Sequence, residues 1–256
     1  MTAVTPPPYI IFSACFGHFT QLAPSWVSVT LRCIHPDARV RLLNSNAPRE
    51  PSEDRVAAVS IDPIPGFRFE QYPAWDIYRL TYGIQLLEEG HTYVHCDLDI
   101  MLLKPIDALV NLPYDIIYES EGSAGWPLEC SRVTGWGVCT GFSVAKPRAL
   151  GFCKALLADM MAKKYEGIEG DQWTLMHNIA AAWTPEAWAV TTHVIDGASF
   201  RCQTTTFPCG TRFCCLDFDA LPRDHARVAS FGCHYNKETL KGVPNMKRMF
   251  DEGIVI

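Results

Sequence analysis

The chain has 256 residues, 48% of them hydrophobic, enough to bury one large α/β core or two small ones. A net charge of −6, an isoelectric point near 5.7 and no run of Lys and Arg argue against a nucleic-acid surface, which normally carries a basic excess. No stretch reaches the roughly 18 apolar residues of a membrane span, and residues 1–19 lack the early basic residue of a signal peptide.

A soluble, cytoplasmic or otherwise intracellular protein without signal peptide or membrane anchor is therefore expected. No repeat period or low-complexity tract divides the sequence, and 1–256 reads as a single domain. There are 11 cysteines but no C-x-x-C pair, so free and mostly buried thiols are expected ahead of a zinc cluster or a disulfide framework.

In chain order, Tyr9 to Ala14 reads as a first strand behind Pro6, Pro7 and Pro8, followed by a helix over Gln21 to Cys33. Ala38 to Asn44 alternates polar and apolar as a half-buried strand, and Ala57 to Ile61 is a third, closed by Asp62-Pro63 and Pro65-Gly66. Trp75, Tyr78, Tyr82 and Leu86 recur at helical spacing in a helix running to Glu89 and stopped by Gly90. Strands follow at Tyr93 to Cys96, Ile116 to Glu119 and Gly137 to Val144. Helices then span Arg148 to Lys164, with Phe152, Leu156 and Met160 on one face, and Gln172 to Ala182. Short strands near residues 192, 213 and 230 and a closing helix over Lys237 to Phe250 complete the series. Strands alternating with helices predict an α/β fold around a central, mostly parallel mixed sheet flanked by helices, with ligands beyond the carboxyl ends of the strands.

Asp97 and Asp99 stand at such an end, directly after the strand Tyr93 to Cys96. The D-x-D pattern is cheap, since 15 aspartates make one chance occurrence ordinary, and a second copy exists at Asp217 and Asp219. Context favours the first copy, because a 15-residue amphipathic helix and a strand precede it. In extended backbone, residues i and i+2 point the same way, so both carboxylates would face one ion while Leu98 faces the core. Oxygen ligands of this kind suit Mg²⁺ or Mn²⁺, held by one or two carboxylates together with substrate phosphates.

The run Asp76-Ile-Tyr-Arg79, Leu86-Leu87, Gly90, Tyr93, Asp97-Leu-Asp99 and Leu103-Lys104-Pro105 resembles the core of the GT-A (Rossmann-like) glycosyltransferases. More narrowly, it is similar to their retaining, metal-dependent members that use nucleoside-diphosphate sugars. Thr140-Gly141 before an apolar strand, Gly170-Asp171-Gln172 before a helix, and Phe231-Gly232-Cys233-His234-Tyr235 continue the likeness in the same order, over residues 76 to 241.

The resemblance implies Asp99, Asp97 and His234 as ligands of Mn²⁺ or Mg²⁺, with Asp97 also close to the donor ribose. It implies Asp76, Asp171 and Gln172 at the reacting sugar, and Arg79, Thr140 and Gly141 against the donor. Lys237 or Lys241 would meet the diphosphate, although Gly242 departs from the usual His, Gly, Lys spacing, and Phe16 is the candidate for the base. Simpler readings stand beside the functional ones: Asp97 and Asp99 as a solvated turn, His234 as a histidine satisfied in the core, Asp171 as an N-cap, and Asp76 as a helix-start acid pairing with Arg79 one turn on. Trp126 and Trp136 offer flat faces for a sugar acceptor or for ordinary packing.

The expected function is transfer of a hexose from a nucleotide sugar, UDP-linked in preference to GDP-linked, to a glycan, protein or lipid acceptor. Two rivals remain, a sugar nucleotidyltransferase and a non-catalytic carbohydrate-binding protein of the same fold. The first would want a glycine-rich, basic loop after the first strand, and SACFGHF has one glycine and no Lys or Arg.

Overall fold

A computed structural model describes residues 9–44, 54–62, 74–123, 125–163, 170–195, 197–217 and 232–234. The strands are β1 (Ile10–Ala14), β2 (Arg39–Leu43), β3 (Val56–Val59), β4 (Tyr93–Cys96), β5 (Ile100–Leu102), β6 (Ile116–Gly122), β7 (Gly137–Ala145), β8 (Ala189–Ile195), β9 (Ala198–Thr206), β10 (Arg212–Leu216) and β11 (Gly232–His234). The α-helices are α1 (Ala23–Cys33), α2 (Ala74–Glu88), α3 (Asp107–Val110), α4 (Leu128–Thr134), α5 (Leu150–Lys163) and α6 (Asp171–Ala181).

Nine strands form one mixed sheet in the order β3-β2-β1-β4-β7-β6-β10-β9-β8. The four strands with helix or loop crossovers between them, β3, β2, β1 and β4, are mutually parallel, as expected of strands connected over the sheet faces. β7 enters antiparallel between β4 and β6, β10 lies parallel to β6, and the hairpin β8–β9 extends the sheet beyond β10. The central strands carry unbroken apolar runs because both faces are covered. On one face α2, α5 and α6 pack Ile77, Leu80, Cys153, Leu156, Met160 and Met176 against the sheet. On the other, α1, α3 and β5 contribute Trp26, Leu109, Val110, Ile100 and Met101.

Several expectations are corrected. A 3₁₀ stretch over Gly17–Leu22 precedes α1, which starts at Ala23, where Pro24 falls in the first turn and its missing N–H costs nothing. The hairpin partner β9, the short β5 and the helices α3 and α4 had no counterpart in the sequence reading. The expected strand near 230 is β11, paired antiparallel to β5. The closing helix over Lys237 to Phe250 lies outside the described residues. Among the described residues, nine cysteines are buried thiols outside any disulfide and Cys209 is an exposed one, in line with the thiol reading. No described helix is long and apolar enough to cross a membrane.

Candidate active site

At the carboxyl end of β4 the chain does not continue extended. The Ile100 N–H donates to the Asp97 carbonyl at 3.0 Å, closing a tight turn over Asp97-Leu98-Asp99 before β5 begins. The expectation of two aligned carboxylates on an extended run is therefore corrected: a turn, not a pleat, presents Asp97 and Asp99. Leu98 is buried, as foreseen. The Asp97 N–H donates to the Gly141 carbonyl at 2.8 Å, so the antiparallel β4–β7 ladder fixes the turn beside Thr140 and Gly141.

Both aspartates open onto a cavity of about 280 Å³ beyond the ends of β1, β4 and β7. Its lining brings together Phe16, Asp76, Arg79, Asp97, Asp99, Thr140, Gly141, Asp171 and Gln172, residues that the sequence reading gathered from five separate segments. Phe19, Trp75 and Trp126 complete its apolar wall. Phe16 stacks on Trp75 with ring centroids 4.0 Å apart and planes 17° from parallel.

Arg79 is the hub. Its Nη2 lies 2.6 Å from Asp171 Oδ1 and 3.0 Å from Asp76 Oδ1, and donates at 2.9 Å to Thr140 Oγ1. Its Nε reaches Asp171 Oδ2 at 3.2 Å and its Nη1 reaches Asp97 Oδ1 at 3.2 Å. A guanidinium has five N–H groups, and these contacts turn at least four of them to protein, leaving little for a ligand. The Thr140 hydroxyl in turn donates a hydrogen bond to Asp171 Oδ1 at 2.7 Å.

Asp171 is the first residue of α6, but it is not the helix cap. Gly170 holds that position, and the Asp171 carboxylate is spent on Arg79 and Thr140. The backbone of Asp171 also acts on the Asp76 carboxyl, lowering it against the effect of burial.

Among the described residues, the lining brings four carboxylates, Asp76, Asp97, Asp99 and Asp171, together with one cation, Arg79. Burial raises the Asp76 carboxyl well above the usual range; Arg79 opposes this, while the charges of Asp171 and Asp97 add to it. Burial would lower the Arg79 guanidinium, but Asp171, Asp76 and Asp97 overcome it and hold its proton more tightly. The oxygen donors of Asp97 and Asp99, both partly exposed at the cavity, fit a hard divalent ion. The backbone of His234 pairs opposite Ile100, one residue past Asp99. Its side chain, with Lys237 and Lys241, lies outside the described residues.

The two tryptophans separate cleanly. Trp136 is buried among Trp183, Trp188 and Phe213, with the Trp188 centroid 5.0 Å away. Trp126 is 46% exposed at the cavity mouth. Two neighbours were missed by sequence. His95 is buried with Nδ1 donating to the Thr140 carbonyl at 3.2 Å and Nε2 standing 3.2 Å from Asp97 Oδ1. Its place two residues before Asp97, on the same face of β4, was the available signal.

Glu121 accepts from the Trp126 N–H at 2.7 Å and from Gln172 Nε2 at 2.9 Å, while Gln172 Nε2 also reaches the Trp126 carbonyl at 2.9 Å. This ties the Trp126 loop to the start of α6. The loop lies so close to β7 that a Cβ on Gly137 would stand 2.8 Å from the Gly125 Cα, which only glycine avoids.

No protein-family model matches the chain, and no curated protein matches it. Among solved structures, a glycosyltransferase involved in the glycosylation of the major capsid of PBCV-1 superposes with a TM-score of 0.55 at 13% identity, covering 96% of this chain and 100% of that one. The glycosyltransferase GlyE of Streptococcus pneumoniae TIGR4 gives a TM-score of 0.47 at 13% identity over 68% of this chain and 43% of that one. The galactosyltransferase LgtC, solved with donor and acceptor sugar analogues, gives 0.44 at 10% identity over 66% and 69%. The first likeness extends over the whole of the other chain and is one of fold; the other two are too distant to add to it.

Proposed function

We propose that the chain is a glycosyltransferase that moves a hexose from a nucleoside-diphosphate sugar, UDP-linked in preference to GDP-linked, to a glycan or other acceptor. One observation carries the reading: the Asp97-Asp99 turn and the Arg79 network meet in one cavity beyond the ends of the parallel strands, where α/β sheets bind ligands. Fold likeness to a glycosyltransferase agrees with it.

In this reading Asp97 and Asp99, with His234 as a third candidate, hold Mn²⁺ or Mg²⁺. When bound, the ion supplies neutralisation of the negative charge that develops on a departing diphosphate. Arg79 acts chiefly by positioning: it holds Asp97 toward the ion and Asp171 toward the sugar, so neither carboxylate has to reorganise on binding. Asp171 and Gln172, at the first turn of α6, face the reacting sugar, with Asp76 behind them. Phe16, on its Trp75 support, offers a flat apolar surface to the base. Retention of anomeric configuration follows from the sequence resemblance alone. The single-domain reading of 1–256 accompanies the proposal.

Thermal unfolding against UDP- and GDP-sugars, with and without Mn²⁺, tests the reading. A ligand at 100 times its dissociation constant adds about 2.7 kcal/mol, and stabilisation by one nucleotide sugar only in the presence of metal is expected. Asp99→Ala should lower turnover by on the order of a hundredfold or more while the protein stays folded. Full activity in that variant would sink the assignment.

A further inference from the structure

Away from the cavity, α4 and α6 pack side by side and bring Glu129, Cys130 and His177 together, with one ligand atom of each within 4.8 Å of the others. The three differ in exposure. Cys130 is 3% exposed, His177 is half-buried, and the Glu129 side chain reaches into solvent.

The histidine is already held in a ligating pose. Its Nδ1 lies 3.0 Å from the Trp173 carbonyl, an acceptor only, so Nδ1 carries the hydrogen. In the neutral ring this leaves the Nε2 lone pair pointing at Glu129 Oε1, 3.5 Å away. The Trp173 ring stacks on the imidazole with centroids 3.5 Å apart and fixes its plane. A backbone carbonyl on the distal nitrogen is the usual way a ligating histidine is oriented.

Nitrogen, thiolate and carboxylate together form a borderline-soft set, which suits zinc and is foreign to magnesium or calcium. With Zn–S near 2.3 Å and Zn–N near 2.0 Å, a tetrahedral ion wants its ligand atoms roughly 3.5 Å apart. His177 and Glu129 already meet that spacing.

We propose that Glu129, Cys130 and His177 bind one zinc ion, with water in the fourth position, that clamps α4 to α6. The clamp would join two helices that both begin at the cavity mouth. α4 starts two residues after Trp126, and α6 starts with Asp171 and Gln172, so fixing the helices fixes the Trp126 loop over the cavity. Zinc binding forms the Zn–S bond and releases the thiol proton to solvent, with no change of oxidation state.

The test uses the full-length, metal-free chain titrated with zinc against a chromogenic chelator, and with cobalt(II) as a spectroscopic substitute. In an Asp99→Ala background, which removes the proposed cation site of the cavity, one zinc per chain is expected, with affinity at least tenfold weaker when His177→Ala or Glu129→Gln is added. The second change is at an exposed side chain and leaves the fold intact. Cobalt should give a near-ultraviolet thiolate charge-transfer band that is absent in Cys130→Ser. Zinc should raise the melting temperature of the Asp99→Ala chain but not of the same chain carrying His177→Ala. Absence of zinc binding, unchanged affinity in both His177→Ala and Glu129→Gln, or a cobalt band that survives Cys130→Ser would overturn the site.

Discussion

Two buried aspartates, each facing an arginine, sit in opposite electrostatic situations. Asp115, just before β6, accepts from the Arg212 backbone N–H at 2.9 Å and from its Nε and Nη2 at 3.1 and 2.9 Å, one carboxylate for one guanidinium. Those hydrogen bonds from Arg212 outweigh burial and hold the Asp115 carboxyl below its ordinary range. Asp76 instead shares Arg79 with Asp97 and Asp171, and burial drives its carboxyl upward. A matched pair with an exposed guanidinium latches two strands. A guanidinium shared among several carboxylates shifts their protonation instead, and such places tend to be functional.

The contrast is broken most severely by Arg79→Met, which removes the cation that Asp76, Asp97 and Asp171 share. A loss of about 3–5 kcal/mol is expected, read by urea unfolding, and divalent cation should restore part of it. Asp115→Asn should cost less, about 1.5–3 kcal/mol at neutral pH, with no response to divalent cation.

Acid sharpens the same comparison, because the two shifts have opposite signs. The Asp115 contribution is present above the unfolded value of about 3.9 and is lost as pH falls through its depressed folded value. The Asp76 contribution runs the other way: it is fully present below about 3.9 and disappears as pH rises through the raised folded value. Asp76→Asn should therefore gain on the wild type as pH is raised, whereas Asp115→Asn should draw level with it only in acid. The smallest effect is expected at Gly137→Ala. There, overpacking against the Gly125 backbone should cost about 1–3 kcal/mol, little of it once the 125–127 loop gives way.

The parallel half of the fold was legible because its strands are continuous apolar runs and its helices are long enough to show a period. α2 and α5 were placed to within a residue or two on that basis. The missed elements lacked these marks. α4 has seven residues, fewer than two turns, behind a Gly- and Pro-containing stretch. β9 does alternate, but two of its inward positions are Cys202 and Thr204, so its buried face does not look apolar. β5 was lost because the apolar run continues through Asp97 to Leu103 in sequence, and only the Asp97 to Ile100 hydrogen bond breaks it in space. At the site, residue types and order indicated which side chains would meet. They did not indicate that Arg79 would be spent on protein, nor which of Trp126 and Trp136 would face outward, since an indole reads the same in either setting.

The Arg79 contacts also say something about when the cavity can come into being. They join Arg79 to Thr140 and Asp171 across 61 and 92 residues of chain. Contacts of such sequence separation are slow to close, because the intervening chain must surrender its freedom first. Two of its partners, Asp76 and Asp97, are close to Arg79 in the chain, whereas Thr140 and Asp171 come only with β7 and α6. The cavity therefore depends on the closing of long stretches of chain, and not on local contacts of α2 alone.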